Sequence, residues 1–227
     1  STGVGSSLDP TGASRPNGVA TVTPVDVNQD GIIDYIYGGD LFGNLWKFDV
    51  TAASTGSWDV AFHASGVATP LFKACSGASC SSSNVEAITT RVTVGYGPNR
   101  VGYLVYFGTG KYLESADVND LSTQTLYGIW DKNDGTTTVS GRSALLQQTI
   151  LYEGSYTLQD GTASTQPLRV TSDNHYSSSP PTEMGWYLDL TSPVSGAQGE
   201  RLVNQPILRN GRVIFTTIIP SSNSCKI

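Results

Sequence analysis

The chain has 227 residues, of which 38% are hydrophobic and only 14% charged, with 25 Gly and 11 Pro. This composition is typical of a turn-rich β-protein rather than a helical or disordered one, and the length suits one all-β domain or a large piece of one. The formal net charge of −6 argues against nucleic acid as a partner, and no apolar run approaches the roughly 18 residues that a membrane-spanning helix needs.

The first 18 residues, STGVGSSLDPTGASRPNG, are predicted to be a flexible N-terminal segment. They have neither a basic start nor an apolar centre, so they are not a secretory signal peptide. Because the cysteines discussed below indicate an oxidising compartment, we expect the chain to be part of a longer exported protein.

The segments predicted as strands are rich in β-branched and aromatic residues and are bounded by turn residues. Almost none of them has the 3.6-residue apolar period of a helix, so the fold class is predicted to be all-β. The strands fall into three successive groups: 19–25, 34–40, 44–50 and 69–74; then 87–96, 102–110, 125–131 and 145–153; and then 184–190, 202–208 and 212–220.

A repeated pattern runs through these groups. YIYGG at 35–39 and YFGTG at 106–110 are aromatic strands that end on glycine. NLWKFD at 44–49, TLYGIWD at 125–131 and GWYLDL at 185–190 each have a central aromatic residue and an aspartate at or near the end. A strand, a glycine turn and an aromatic strand closed by Asp are typical of β-propeller blades.

We predict that residues 19–227 form three to four such blades, with long polar insertions that account for their irregular spacing. Loops of this kind lie at the surface and often carry the binding function. Because three or four blades are too few to close most propellers, we expect this domain to be truncated relative to the full-length one. The insertions are 51–68, 76–86, 132–144 and 154–183.

The segment DVNQDGIID, residues 26–34, has the pattern of a calcium loop. Calcium takes six to eight hard oxygen ligands, and side chains at alternate loop positions can turn toward one ion. Gly31 permits the sharp turn that the loop needs. The predicted ligands are Asp26, Asn28, Asp30, the main-chain carbonyl of Ile32, and Asp34.

This loop differs from the helix–loop–helix calcium site, because its twelfth position is Tyr37 where that site has a bidentate Glu. We therefore expect Asp34 to take the place of that Glu, and the Ile32 side chain to stay in apolar packing while its carbonyl binds the ion. Three carboxylates in nine residues repel one another without a cation. The alternative is a polar turn held by its own Asx hydrogen bonds. For the ion we expect a dissociation constant of roughly 10⁻⁶ to 10⁻³ M.

The three cysteines indicate the compartment. Cys75 and Cys80 bracket four small residues, a spacing that suits a short disulfide, whereas a zinc site would need two further ligands nearby. A disulfide implies an oxidising compartment. This pairing leaves Cys225, which is either a free thiol or a cysteine separated from its disulfide partner.

Other candidate residues are weaker. Asp117, Asn119 and Asp120 in ADVND, and the turn KNDG at 132–135, are predicted to be capped turns rather than metal sites. GTGKY at 108–112 lacks the glycine and the Ser or Thr of a phosphate-binding loop. His63 and His175 have no nearby nucleophile, and no catalytic residue is assigned. The tryptophans are more often blade core than a ligand platform, and Trp58, in the loop TGSWDV, is the one candidate among them for an exposed contact.

Four blocks in order make the chain similar to the C-terminal domain of PilY-type pilus-tip proteins of bacterial type IV pilus systems. The resemblance extends over residues 19–225. The blocks are DVNQDGIIDYIYGGDLFGNLWKFDV, YLVYFGTGKYLE, TLYGIWD and GERLVNQPILRNGRVIFTTIIP.

The resemblance implies a modified, quinoprotein-like β-propeller that holds one Ca²⁺ in the loop at 26–34. It also implies a non-enzymatic role in pilus extension, twitching motility and surface attachment, with bound calcium opposing retraction. The implied partners are minor pilins at the pilus tip and a host or abiotic surface. The implied location is secreted, at the cell surface, on the pilus tip or associated with the outer membrane.

Two other functions compete with this one. A quinone-cofactor propeller dehydrogenase would need calcium beside a cofactor, and a self-contained loop leaves few coordination positions for one. An integrin-like or carbohydrate-binding repeat protein would carry one calcium loop in each blade, whereas only one such loop occurs in this sequence.

Overall fold

The computed structural model describes residues 1–164, 167–179 and 181–221. The all-β prediction is confirmed: these residues form short strands and 3-10 turns and contain no α-helix. In the same ranges, no helix is long and apolar enough to cross a membrane. The strands are β1 (Thr23–Val25), β2 (Tyr35–Gly39), β3 (Asn44–Asp49), β4 (Asp59–Val60), β5 (His63–Ala64), β6 (Val67–Ala68), β7 (Phe72–Lys73), β8 (Thr93–Tyr96), β9 (Tyr103–Gly108), β10 (Thr125–Asp131), β11 (Leu146–Gln148), β12 (Ile150–Gly154), β13 (Leu168–Thr171), β14 (Gly185–Asp189), β15 (Thr191–Ser192), β16 (Gly196–Ala197), β17 (Arg201–Leu202), β18 (Ile207–Arg209), β19 (Arg212–Ile214) and β20 (Thr217–Ile218). The 3-10 turns are Ser6–Leu8, Thr55–Ser57, Pro98–Arg100, Ser115–Asn119 and Arg142–Ala144.

The first sheet has the strand order β1-β2-β3-β4, with β7 also paired to β3, and all of its pairings are antiparallel. Its central hairpin, β2–β3, buries Tyr37, Leu45 and Trp46 completely. Glycine is required at the end of β2, because a Cβ on Gly39 would come within 2.1 Å of the Ile88 side chain. The aromatic strand followed by glycine therefore packs closely against the chain that leads to the next sheet.

The second sheet has the order β11-β14-β10-β9-β8 and is antiparallel except for the parallel pair β11–β14. Every residue of β10, the central strand, is buried. Gly128 in this strand faces the Trp186 indole, which a Cβ would approach to 2.5 Å. The sheet is thus built around TLYGIWD, one of the repeated sequences.

Several strand assignments made from the sequence are wrong. Residues 145–153, predicted as one strand, break at Thr149 into β11 and β12, which belong to different sheets. The partner of β12 is β13, which lies in a predicted loop; all of its residues are exposed, so no alternation of burial marks it. Residues 184–190, predicted to belong with the last group, provide β14 of the second sheet.

The described residues therefore contain two blade-sized sheets rather than the three to four predicted. The strands that follow β14 pair only in twos, as β15–β16, β17–β20 and β18–β19. Short pairs also join β5 to β6 and β12 to β13.

An aromatic core holds the two large sheets together. Tyr127 of β10 lies between Phe72 of β7 and Phe107 of β9, with each pair of ring centroids 5.2 Å apart. All three rings are at most 1% exposed. Burial of such a side chain contributes about 1.5–3 kcal/mol, so this contact fixes the first sheet against the second.

The predicted disulfide is confirmed, since Cys75 is bonded to Cys80 with the Cα atoms 5.4 Å apart. Cys225 lies outside the described residues. In the N-terminal segment, Asp9 accepts hydrogen bonds from the Arg15 side chain, and Asn17 donates one to Asp40.

Candidate metal centre

The acidic loop, defined as residues 26–34, closes the hairpin between β1 and β2 at the edge of the first sheet. The two strands are paired from Thr23 with Tyr37 to Val25 with Tyr35. The Asp34 amide then donates to the Val25 carbonyl at 3.0 Å, and the Asp34 carbonyl accepts from the Val50 amide at 3.0 Å. Both ends of the loop are thus fixed by backbone hydrogen bonds, while Asn28 and the residues up to Ile33 are exposed.

The Asp26 carboxylate is turned inward over the loop. Its Oδ1 accepts from the Gln29 amide at 2.6 Å, and its Oδ2 accepts from the Gly31 amide at 2.8 Å. The chain can fold back in this way because Gly31 adopts a φ of +87°, a conformation that residues with a Cβ rarely adopt. The first predicted ligand therefore lies inside the turn.

The next two predicted ligands contact each other. Asn28 Oδ1 accepts from the Asp30 amide at 3.0 Å, and Asn28 Nδ2 donates to Asp30 Oδ2 at 3.1 Å. Asp30 Oδ1 accepts from the Ile32 amide at 2.8 Å. At the end of the loop, Asp34 Oδ2 accepts from the Val27 amide at 2.7 Å. Every predicted ligand belongs to one hydrogen-bonded loop.

Chemically, these ligands fit calcium, because carboxylate, amide and carbonyl oxygens are the donors that this ion prefers. The loop carboxylates, however, are hydrogen-bonded to loop N–H groups. No group of three or more His, Cys, Asp or Glu side chains among the described residues is gathered to hold a metal ion. Convergence of Asp26, Asp30 and Asp34 on one ion thus stays a prediction.

The expectation for the Ile32 side chain is wrong. Ile32 is 67% exposed, and its neighbour Ile33 is 36% exposed. The side chain faces solvent because the loop turns back through Gly31 before the strand begins, so no apolar neighbour covers it. The Ile32 carbonyl as a ligand does not depend on this packing.

A buried ion pair under the hairpin was not predicted. Lys47 of β3 and Asp131 of β10 have side chains 2% and 1% exposed, with Nζ 2.8 Å from Oδ2. The Tyr37 hydroxyl donates to the same carboxylate, and Lys47 Nζ lies 4.0 Å from the centre of the Tyr35 ring. Burial, together with Asp131, raises the pKa of Tyr37. These contacts fix the strand that follows the acidic loop.

The sequence signal for this pair is weak. Lys47 is the one cation in NLWKFDV, and Asp131 closes TLYGIWD. Nothing in the sequence indicates that the two lie together, because the fold brings them from different sheets.

The weaker candidates are capped turns, as predicted. Asp117 accepts from the Leu113 and Glu114 amides and pairs with Lys111 at 2.6 Å. Asp134 accepts from the Thr137 hydroxyl and from the Thr136 and Thr137 amides, and these hydrogen bonds hold the pKa of its carboxyl well below the usual range.

The remaining candidate residues, His63, His175 and Trp58, take no part in the acidic-loop hydrogen bonds described above. His63 is exposed on β5, and its Nε2 lies 3.5 Å from Asp59 Oδ2. His175 is exposed beside Asp173. Trp58, the candidate for an exposed contact, is 45% exposed, and its indole N–H donates to the Ala52 carbonyl.

Comparison with known proteins agrees with this architecture. Residues 2–163 match the family model described as the PilY1 beta-propeller domain. A type IV pilus biogenesis factor PilY1 homolog of Xylella fastidiosa is 35% identical over 219 residues, covering 94% of this chain and 14% of that protein. The type IV pilus biogenesis factor PilY1 of Pseudomonas aeruginosa PAO1 is 35% identical over 234 residues, covering 92% of this chain and 19% of that protein.

A solved structure resembles the chain as well. The crystal structure of the Pseudomonas aeruginosa PilY1 C-terminal domain matches with a TM-score of 0.77 and 33% sequence identity. The match covers 92% of this chain and 46% of that one. The chain thus spans less than half of the solved domain and no more than a fifth of these two curated relatives.

Proposed function

The chain belongs to the PilY1 β-propeller family of the type IV pilus system, and we propose that it is a calcium-binding, non-catalytic module of a pilus biogenesis factor. The observation that carries the calcium proposal is the acidic loop itself. It encloses an inward-facing Asp26 carboxylate, folds back at Gly31 and is fixed at both ends to the first sheet.

Asp26, Asn28, Asp30, Asp34 and the Ile32 carbonyl would hold the ion. Bound calcium would supply the positive charge that offsets the repulsion among the three loop carboxylates. Asp26 and Asp34 stand at the two ends of the loop, directly after β1 and directly before β2. Holding them together would strengthen the β1 edge of the sheet, where the strand has a partner on one side only.

In the whole factor, we propose that this module supports pilus extension, twitching motility and surface attachment, with bound calcium opposing pilus retraction. Support comes from the relatives, which are named as type IV pilus biogenesis factors. The proposed partners are minor pilins at the pilus tip and a host or abiotic surface. The proposed location is the cell surface, at the pilus tip or associated with the outer membrane.

The functional test is Asp26→Asn in the full-length gene, scored by twitching zone and surface piliation at equal protein level. Asparagine retains an oxygen that can accept the Gln29 or Gly31 amide but removes a charge from the calcium ligands. We expect reduced twitching or altered piliation. Asp134→Asn, in a capped turn outside the loop, is the matched control and should leave both unchanged. Equal motility of the Asp26→Asn strain and its parent would refute the calcium-dependent role.

The non-catalytic part of the proposal has its own test. A quinone-cofactor dehydrogenase of propeller type would bind added pyrroloquinoline quinone and reduce an artificial electron acceptor. We expect the chain, loaded with calcium, to give neither an absorbance change with the cofactor nor dye reduction with alcohols or sugars. Turnover abolished by Asp26→Asn would replace the proposal with the enzymatic one.

A further inference from the structure

A second acidic cluster lies buried where the disulfide-bearing connection, residues 74–88, meets the second sheet. Glu86 of this connection is 3% exposed. Its amide donates to the Ala74 carbonyl, so its backbone stays with the end of the first sheet. Its carboxylate reaches the second sheet, where Thr125 Oγ1 lies 2.8 Å from Oε1 and the Tyr127 hydroxyl lies 2.8 Å from Oε2.

The cluster contains two carboxylates and one guanidinium. Arg142 forms an ion pair with Asp189 of β14. Its remaining donors contact the Tyr127 hydroxyl at 3.1 Å and Thr125 Oγ1 at 2.7 Å. No ion pair joins Glu86 to a Lys, Arg or His in the part of the chain that the structure describes. An ionised Glu86 would thus be a buried charge without a direct cation, which is a costly arrangement.

The Thr125 and Tyr127 hydroxyls also have fewer protons than there are acceptors around them. The single Thr125 proton can be donated either to Glu86 Oε1 or to Asp189 Oδ1, both at 2.8 Å. The single Tyr127 proton can be donated either to Glu86 Oε2 or to the Cys75 carbonyl. Two protons therefore face four acceptors. One more proton, on Glu86, would let Glu86 donate to Thr125 and Thr125 donate to Asp189.

We propose that Glu86 is a proton-binding site, which takes one proton from solvent and completes the hydrogen bonds between the disulfide-bearing connection and the second sheet. When that proton leaves, Glu86 becomes a carboxylate without its own cation beside the Arg142–Asp189 ion pair, and the junction weakens. Glu86 faces Thr125 and Tyr127 from β10, and through them Arg142 from its 3-10 turn and Asp189 from β14, with the Cys75 carbonyl bound to Tyr127. The charged residues that line a cavity together with Glu86 are Arg15, Lys111 and Asp120.

The electrostatics agree with the proton count. Burial raises the pKa of Glu86 to about 7, and Arg142 and the two hydroxyl hydrogen bonds offset only part of this effect. Burial, with the charge of Glu86, raises the pKa of Tyr127, so this phenol keeps its proton. Because the folded-state pKa of Glu86 is above its ordinary value of about 4.3, this group stabilises the folded chain less as the pH rises toward and through 7.

Glu200 is a matched comparison within the same chain. It is 5% exposed, yet both of its oxygens lie 2.7 Å from Arg169 nitrogens. Burial alone would raise the pKa of Glu200, but the Arg169 contacts and the Thr217 hydroxyl lower it. Both glutamates are shielded from solvent, although Glu86 lies deeper, and in Glu200 a cation contacts the carboxylate directly.

Carboxyl-carbon NMR tests the proposal on the disulfide-bonded chain labelled with ¹³C-glutamate, titrated from pH 4 to 9. The chain has five glutamates, Glu86, Glu114, Glu153, Glu183 and Glu200, so the resonances are few. Glu86→Gln assigns the Glu86 resonance by its loss, and backbone-directed assignment of the parent serves if that variant does not fold. We expect the Glu86 resonance to titrate near pH 7, whereas the Glu200 carboxyl, whose pKa is lowered, is ionised through most of this range. Ionisation of Glu86 below pH 5 in the folded protein would overturn the proposal.

Discussion

The acidic loop and the Glu86 junction both gather more carboxylates than cations, yet they solve the problem differently. The loop lies at the surface, and its carboxylates accept hydrogen bonds from loop amides such as those of Gln29 and Gly31. The junction is buried, and its one guanidinium pairs with Asp189 rather than Glu86. A hydrated divalent cation can reach the first cluster, whereas a proton is the smallest way to neutralise the second.

The comparison teaches that solvent, and not the number of carboxylates, decides which positive charge an acidic cluster takes. Exposed carboxylates remain solvated when no cation is present, so the loop can fold on its own hydrogen bonds. A buried charge without a partner costs several kcal/mol. We therefore expect the buried junction to take up a proton, whereas the exposed loop carboxylates can stay ionised whether or not a cation is bound.

Arg142→Ala removes the guanidinium of the Glu86 junction and should have the largest effect on the unfolding free energy. It leaves Asp189 without its guanidinium partner and Glu86 near a second free charge, which should cost about 3–5 kcal/mol of unfolding free energy. Urea denaturation at pH 7 measures this loss. Arg15→Ala, which removes a half-exposed arginine from its pair with the Asp9 carboxylate, is the control and should cost less. Equal losses would mean that burial does not set the energy of these pairs.

The two buried glutamates, Glu86 and Glu200, should change the stability of the chain with pH in opposite directions. The unfolding free energy of the parent chain should fall by about 2–3 kcal/mol between pH 5 and 8 because Glu86 loses its proton. One pKa unit corresponds to about 1.4 kcal/mol. Glu86→Gln should remove that fall. Glu200, whose pKa is lowered, contributes stability above about pH 4.3 that is lost as the pH falls further. Glu200→Gln should therefore flatten the acid side only; if both variants changed the same side, the assignment of the proton would be wrong.

Calcium removal tests the exposed side. A tenfold excess of calcium over its dissociation constant should add about 1.4 kcal/mol to the stability of the parent chain, because the ion binds the folded state only. Asp26→Asn should lose this gain and differ little from the parent in EGTA. Thermal unfolding with and without calcium measures both. A parent chain that melts at the same temperature in both buffers would contradict the calcium loop.

Gly31→Ala should have the smallest effect. Nothing lies within 4 Å of the added Cβ, so the cost comes from the φ of +87° alone and should be about 1 kcal/mol. Gly161→Ala is a close control, with a φ of +85° and the same open space. Both variants should lose similar stability in EGTA, whereas only Gly31→Ala should weaken calcium binding, as measured by calorimetry. Weaker binding in both would show that the effect is not local to the loop.

The sequence predicts the acidic loop because all of its residues lie within nine positions, so local spacing carries the information. The strands of the two large sheets were also predictable, since NLWKFD and TLYGIWD are short aromatic segments, each closed by an aspartate. The Glu86 junction was not, because Glu86 meets Thr125 across 39 positions. The burial of Glu86 and the shortage of hydroxyl protons around it arise only when the chain has folded, so no local sequence pattern shows them. The β12–β13 pair was missed for a related reason, since β13 is exposed throughout and shows no apolar alternation.

The central claim is that the acidic loop binds one calcium ion, and isothermal titration calorimetry of calcium into the EGTA-stripped chain tests it most directly. The account predicts one site with a dissociation constant of roughly 10⁻⁶ to 10⁻³ M, lost in Asp26→Asn and retained in Asp134→Asn. An absence of binding heat in the parent, or an unchanged isotherm in Asp26→Asn, would contradict it.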